Sequence, residues 1–131
     1  TQVSMLCANP DIIVHVGDKL QYCAGALAKA YEDMGGTALY FGKPHPPIYD
    51  LARRRLAALG LKDDAQILCI GDGINTDVQG AVAENLDVIF VTGGIAVDQF
   101  GPDSNNPDED LLKAWLQDQQ LSPTYSIGHL R

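Results

Sequence analysis

The 131-residue chain has no long hydrophobic run. No apolar stretch approaches the roughly 20 residues of a bilayer-crossing helix. Positive charge is scarce as well: 9 Lys+Arg stand against 17 Asp+Glu, a formal net charge of -8. Nucleic acid and anionic membrane surfaces both require a positive face, so neither is expected as a main partner. Cysteine is limited to Cys7, Cys23 and Cys69, an odd number with no Cys-x-x-Cys spacing. That argues against a disulfide framework or a zinc knuckle and suits small buried hydrophobes in a reducing cytoplasm. Nothing near the N-terminus resembles a signal peptide, and the first residue is Thr1 rather than Met, which suits a processed or cut piece of a longer protein. Gly-x-Gly-x-x-Gly, the Walker pattern and a Gly-x-Ser-x-Gly elbow are all missing, and His15, His45 and His129 are scattered.

What is present is an alternation of strand and helix patterns. Val3–Ala8 and the β-branched Ile12–Val16 read as strands, with a turn at Gly17-Asp18-Lys19. A helical stripe of Ala24, Leu27, Ala28 and Tyr31 predicts a helix over Cys23–Met34, stopped at Gly35-Gly36. Thr37–Phe41 reads as a strand. Gly42 to Pro47 is a stiff connector, and Ile48–Leu59 is a helix burying Ile48, Leu51, Ala52, Leu56 and Leu59, with Arg53, Arg54 and Arg55 outward. Gln66–Ile70 and Asp87–Thr92 have the unbroken apolar character of strands covered on both faces. Between them Asp77–Asn85 reads as a short helix with Val78, Ala81 and Val82 inward. The result is a βαβ unit, whose crossover should be right-handed. An acidic loop follows. Asn106 is expected to cap the next helix, with the stripe Leu111, Leu112, Trp115 and Leu116, and Tyr125–Ile127 is a last, edge strand. The class is α/β. Parallel pairing is expected to begin near Lys43, and the preceding 42 residues show no evident sheet of their own.

Two stretches carry chemistry. In Gly71-Asp72-Gly73-Ile74-Asn75-Thr76-Asp77, Asp72 stands just past the carboxyl end of a buried strand, the edge where open α/β sheets bind ligands. The glycines allow a sharp turn with space around the carboxylate, and Asp77 opens the next helix and can fold back. Two converging carboxylates suit a hard cation such as Mg²⁺, which binds through one or two carboxylates plus phosphate and keeps several waters. The same residue types also suit an ordinary turn followed by a helix-dipole partner. The other stretch is Gly42-Lys43-Pro44. A lysine at a strand-to-helix junction is a compact point charge able to reach a bound phosphate; the alternative is an ordinary surface lysine. His45 adjoins it and reads more simply as a turn residue.

Gly42-Lys43-Pro44, then Gly71-Asp72-Gly-Ile-Asn-Thr-Asp77 and Val-Gln-Gly80-Ala, together resemble the haloacid dehalogenase-like (HAD) superfamily. More narrowly they are similar to its class IIA phosphatases, the NagD and 4-nitrophenylphosphatase type. Ala8-Asn9-Pro10-Asp11 and Cys23-Ala24-Gly25-Ala26-Leu27 resemble the latter part of that class's cap domain. The resemblance implies a Rossmann-like core with an inserted cap, and Mg²⁺-dependent hydrolysis of small phosphate monoesters through an aspartyl-phosphate. It implies that Lys43 neutralises the nucleophile and the phosphoryl group. Asp72 would be a Mg²⁺ ligand with Asp77 as its partner, and Asn9 and Asp11 would belong to the cap loop facing a small phosphorylated metabolite.

The family's N-terminal Asp-x-Asp-Gly nucleophile motif is absent from this sequence. The expectation is therefore the C-terminal half of such an enzyme, with 1–42 as the end of the cap and 43–131 as part of the core. Such a piece should be inactive alone. It should associate with the N-terminal half or with further copies of itself through an apolar sheet edge. The competing reading is a non-catalytic α/β module that binds a phosphorylated ligand or a protein partner.

Overall fold

The structure is a computed structural model that describes residues 3–61, 64 and 67–131. The Gln66 end of the expected strand lies outside these residues. By compactness the chain divides into two units, one up to Ala52 and one from Arg53, a division that falls inside a helix.

In the first unit, β1 (Ser4–Cys7) pairs in parallel with β4 (Thr37–Tyr40), Cys7 opposite Tyr40. The helix α1 (Ala24–Asp33) packs on both strands, so a crossover returns the chain in the same direction. Parallel pairing thus begins well before Lys43, which corrects the sequence reading. Two four-residue runs far apart in sequence gave no sign that they are neighbours. Between β1 and α1, β2 (Ile13–Val16) and β3 (Lys19–Tyr22) form an antiparallel hairpin that exposes apolar side chains on both faces. α1 buries Gly25 and Ala28, but Leu27 of the expected inner stripe is 65% exposed. The helix ends as glycine requires. Gly35 has φ +87°, its N–H donates to the Glu32 carbonyl at 2.8 Å, and the Gly36 N–H reaches the Tyr31 carbonyl at 2.9 Å.

The helix α2 (Pro46–Ala58) runs through the division. Its expected inner face is a second correction. Tyr49 is buried, whereas Ile48, Leu51 and Leu59 are exposed, since periodicity states that a helix is amphipathic but not what covers it.

The second unit is a parallel sheet in the order β5 (Leu68–Gly71), β6 (Asp87–Val91), β7 (Tyr125–Ile127). β7 lies at an edge, as its pattern predicts. The link from β5 to β6 is a π-helical turn at Ile74–Val78 running into α3 (Gln79–Ala83), in place of one continuous helix. Val78 and Ala81 are buried there, but Val82 faces solvent. From β6 to β7 the chain passes through a long loop and α4 (Glu109–Gln119). Asp108, not Asn106, caps α4: its Oδ1 accepts from the Asp110 and Leu111 N–H groups, both at 3.0 Å. A carboxylate is a preferred cap at the positive dipole end of a helix, and Asn106 is instead engaged by Asp103 at 2.9 Å.

The core of this unit is aromatic. Phe90 of β6 is fully buried, stacks on Trp115 of α4 at 5.8 Å, and meets the edge of Phe100 at 6.0 Å. Phe100 in turn lies edge-on to Trp115 at 5.2 Å, closing a triangle that holds helix, loop and sheet together. Arg53, expected to point outward with its neighbours, is instead half-buried. It pairs with Asp64 at 2.9 Å and with Glu84, whose backbone carbonyl it also reaches at 3.3 Å.

Candidate active site

β5 delivers its chain end to the carboxyl edge of the parallel sheet, and Asp72 is the next residue. Its Oδ2 accepts the Ile95 N–H at 3.0 Å, from the loop that leaves the neighbouring strand β6. Asp77 folds back across the π-helical turn. Its Oδ2 accepts the Gly73 N–H at 3.0 Å, while its own N–H and that of Val78 donate to the Gly73 carbonyl at 2.8 and 3.0 Å. Both carboxylates therefore sit on one strand-end loop, each oriented by a backbone N–H. Glycine makes this possible. A Cβ at Gly71 would overlap the Asp77 carboxylate, one at Gly73 the Thr76 hydroxyl, and one at Gly94 the Asp72 carboxylate. Burial, reinforced by the Asp77 charge and opposed by Arg53, pushes the nearby Cys69 thiol up from its ordinary value.

Whether this loop suits a cation is a matter of donors and space. Among the described residues no three His, Cys, Asp or Glu side chains gather as a closed metal cage. Two hard carboxylates in a glycine-cleared loop are the donor set that Mg²⁺ uses when water and phosphate complete its shell, so the residues fit that ion.

In the first unit, Asn9, Asp11 and Lys43 line one cavity of about 220 Å³, together with Ala8, Pro10, Gly42 and Ile48. The Asn9 side chain accepts the Asp11 N–H at 3.1 Å, and the Cys7 thiol donates to the Asn9 carbonyl at 3.2 Å, so the loop after β1 is internally braced. Gly42 lies against it so closely that a Cβ would overlap the Ala8 carbonyl and the Pro10 ring. Phe41 N–H donates to the Cys7 carbonyl at 2.9 Å, carrying the β1–β4 pairing up to this point. The Lys43–Pro44 peptide is cis. His45 stacks on Tyr40 at 5.1 Å, and Tyr40 donates to Glu32 at 2.8 Å, a bond that raises the phenol above its ordinary range.

Residues 40–125 match the family model described as HAD-hydrolase-like, a span that contains Lys43, Asp72 and Asp77. A HAD-like family hydrolase from Brucella suis 1330 is 38% identical over 99% of this chain and 45% of its own, with a TM-score of 0.72. This chain belongs to the HAD-like hydrolases. A p-nitrophenyl phosphatase from Archaeoglobus fulgidus is similar at 25% identity, over 93% of this chain and 42% of its own, TM-score 0.66. A double-mutant thermostable NPPase from Geobacillus stearothermophilus shares the fold at 22% identity, over 94% and 41%, TM-score 0.65. The chain spans less than half the length of each of these. No curated protein matches it.

Of the residues the sequence singled out in this HAD-like chain, the structure brings Asp72 and Asp77 onto one loop. Asn9, Asp11 and Lys43 share one cavity wall in the other unit. Sequence reasoning missed the turn Thr92–Ile95, which supplies the N–H that Asp72 accepts. Its signal was available: Gly93-Gly94 closes a second buried parallel strand, and adjacent parallel strands end on the same sheet edge. Among the described residues no helix is long and apolar enough to cross a membrane.

Proposed function

We propose that this chain is the part of a Mg²⁺-dependent phosphomonoesterase that supplies the metal carboxylates and the phosphate-neutralising lysine. The observation that carries the reading is the strand-end loop in which Gly71, Gly73 and Gly94 clear space around Asp72 and Asp77. On this reading Asp72 is the ligand and Asp77 its partner on the same loop. When bound, Mg²⁺ neutralises charge on the phosphoryl oxygens and orients them for in-line transfer. Lys43 contributes a second positive charge to the phosphate dianion. Asn9 and Asp11 belong to the loop that meets the small-molecule part of the ester. Residues 1–42 are the end of the cap and 43–131 part of the core. The group that accepts the phosphoryl, an aspartate in an Asp-x-Asp-Gly motif, lies in no segment of this sequence. This chain therefore works with additional sequence. The open side of β5, where Leu68 and Ile70 are about half exposed, suits further strands there.

The test is turnover of 4-nitrophenyl phosphate by the complete protein with Mg²⁺. Asp72→Asn and Lys43→Ala should each remove most of the activity while leaving the melting temperature near that of the parent. Near-normal turnover in Asp72→Asn rejects the metal role.

A further inference from the structure

The loop that leaves β6 touches Asp72 on one side and a second, independent set of residues on the other. Thr92 is 1% exposed, and both its N–H and its hydroxyl donate to the Ile127 carbonyl, at 2.9 and 3.2 Å. The Gly93 N–H donates to the Gly128 carbonyl at 2.8 Å. A Cβ at Gly93 would overlap the His129 imidazole, and one at Gly128 the carbonyls of Ser104 and Asn105. His129 Nε2 and Ser104 Oγ are hydrogen-bonded at 3.0 Å in a partly buried position. Ser104 is itself held in a braced loop: Asp103 accepts from the Asn105 N–H and the Asn106 side chain, both at 2.9 Å. From Asp72 through Gly94 and Gly93 to Gly128–His129 and Ser104, backbone meets backbone or a short side chain with no flexible padding between.

We propose that the His129–Ser104 pair is a positioning element for the Asp72 carboxylate, acting through the Thr92–Ile95 turn. The pair closes the far side of the turn, and the turn in turn presents the Ile95 N–H that fixes Asp72 Oδ2. Closely packed backbone of this kind transmits a displacement instead of absorbing it. Partners that orient a metal-binding side chain commonly set ion affinity by about 10–100-fold. The proposal rests on the reading of Asp72 as an ion ligand, and one of its two readouts is independent of that reading.

The experiment uses the complete protein with Mn²⁺ as the probe, its affinity read by water-proton relaxation, and amide hydrogen exchange at Ile95 and Gly93 read without metal. His129→Ala and Ser104→Ala should each accelerate exchange at Ile95 and weaken Mn²⁺ by about tenfold or more. Exchange at Phe90 in the sheet should stay unchanged. His129→Gln keeps a nitrogen within reach of Ser104 and should restore both. The double variant should be no worse than either single, because the two act as one pair. Unchanged exchange at Ile95 overturns the proposal, as does faster exchange with Mn²⁺ affinity intact where Asp72→Asn itself loses Mn²⁺. Faster exchange at Phe90 in both alanine variants also overturns it, since the pair would then be a general support of the sheet. Asp72→Asn separates the two readings. If it binds Mn²⁺ as well as the parent does, the ion reading fails, while the exchange data still decide whether the turn is held by His129.

Discussion

The two units differ in how they hold themselves together. The second buries Val78, Ala81, Leu86, Val88 and Leu112 together with Phe90 and Phe100 of its aromatic triangle, so its sheet has a buried core of its own. Among the described residues, the first buries only Cys7, Ala28 and Tyr49 of its apolar side chains and leaves Ile13, Val14, Val16, Leu20 and Tyr22 of the hairpin 44–83% exposed. A two-stranded hairpin is marginal in water by itself. The contrast teaches that the candidate ion loop is mounted on the unit with the larger buried core, whereas the lysine-bearing cavity is mounted on the unit with the least apolar burial.

That contrast can be broken or sharpened by substitution. Phe90→Ala removes one side of the aromatic triangle and should cost about 3–5 kcal/mol in denaturant unfolding. The next effect in size should come from Gly71→Ala. Its methyl displaces the Asp77 carboxylate, costing about 1–3 kcal/mol and shifting the Gly73 amide resonance; an unshifted resonance would show that the close approach is relieved elsewhere. Asp108→Ala removes the cap of α4 and should cost about 1 kcal/mol, while Asn106→Ala costs less, which a pair of melting curves resolves. Leu27→Ala, at an exposed site of the first unit, should stay within about 0.5 kcal/mol; a large loss would mean that something covers α1. The smallest change concerns Cys69. Its raised pKa favours the neutral thiol in the folded state, so this contribution to stability is whole below the unfolded thiol pKa and fades as pH climbs through the folded one. Alkylation of Cys69 should accordingly set in at higher pH than in the unfolded chain, and Asp77→Asn should move that onset down.

Most strands and helices were legible because each rests on a local pattern. Gly35 ends α1, and the apolar run before Gly71-Asp72 becomes a parallel strand. The candidate loop was legible for the same reason, since Asp72, Gly73 and Asp77 lie within one turn of each other in sequence. Partnership was not legible. The pairing of β1 with β4, the exposure of Leu59 and the exchange of Asn106 for Asp108 as the cap each depend on a competitor or neighbour that periodicity does not name.

The sequence by itself determined an α/β chain of the HAD-like type, its strand ends, and the two carboxylates and one lysine to weigh, because composition, glycine placement and spacing are local quantities. Only the tertiary structure decided that the Ile95 N–H orients Asp72 and that His129 closes the far side of the same turn. Those contacts join residues brought together by parallel strand pairing, and hydrogen bonds between them exist only once the sheet has formed.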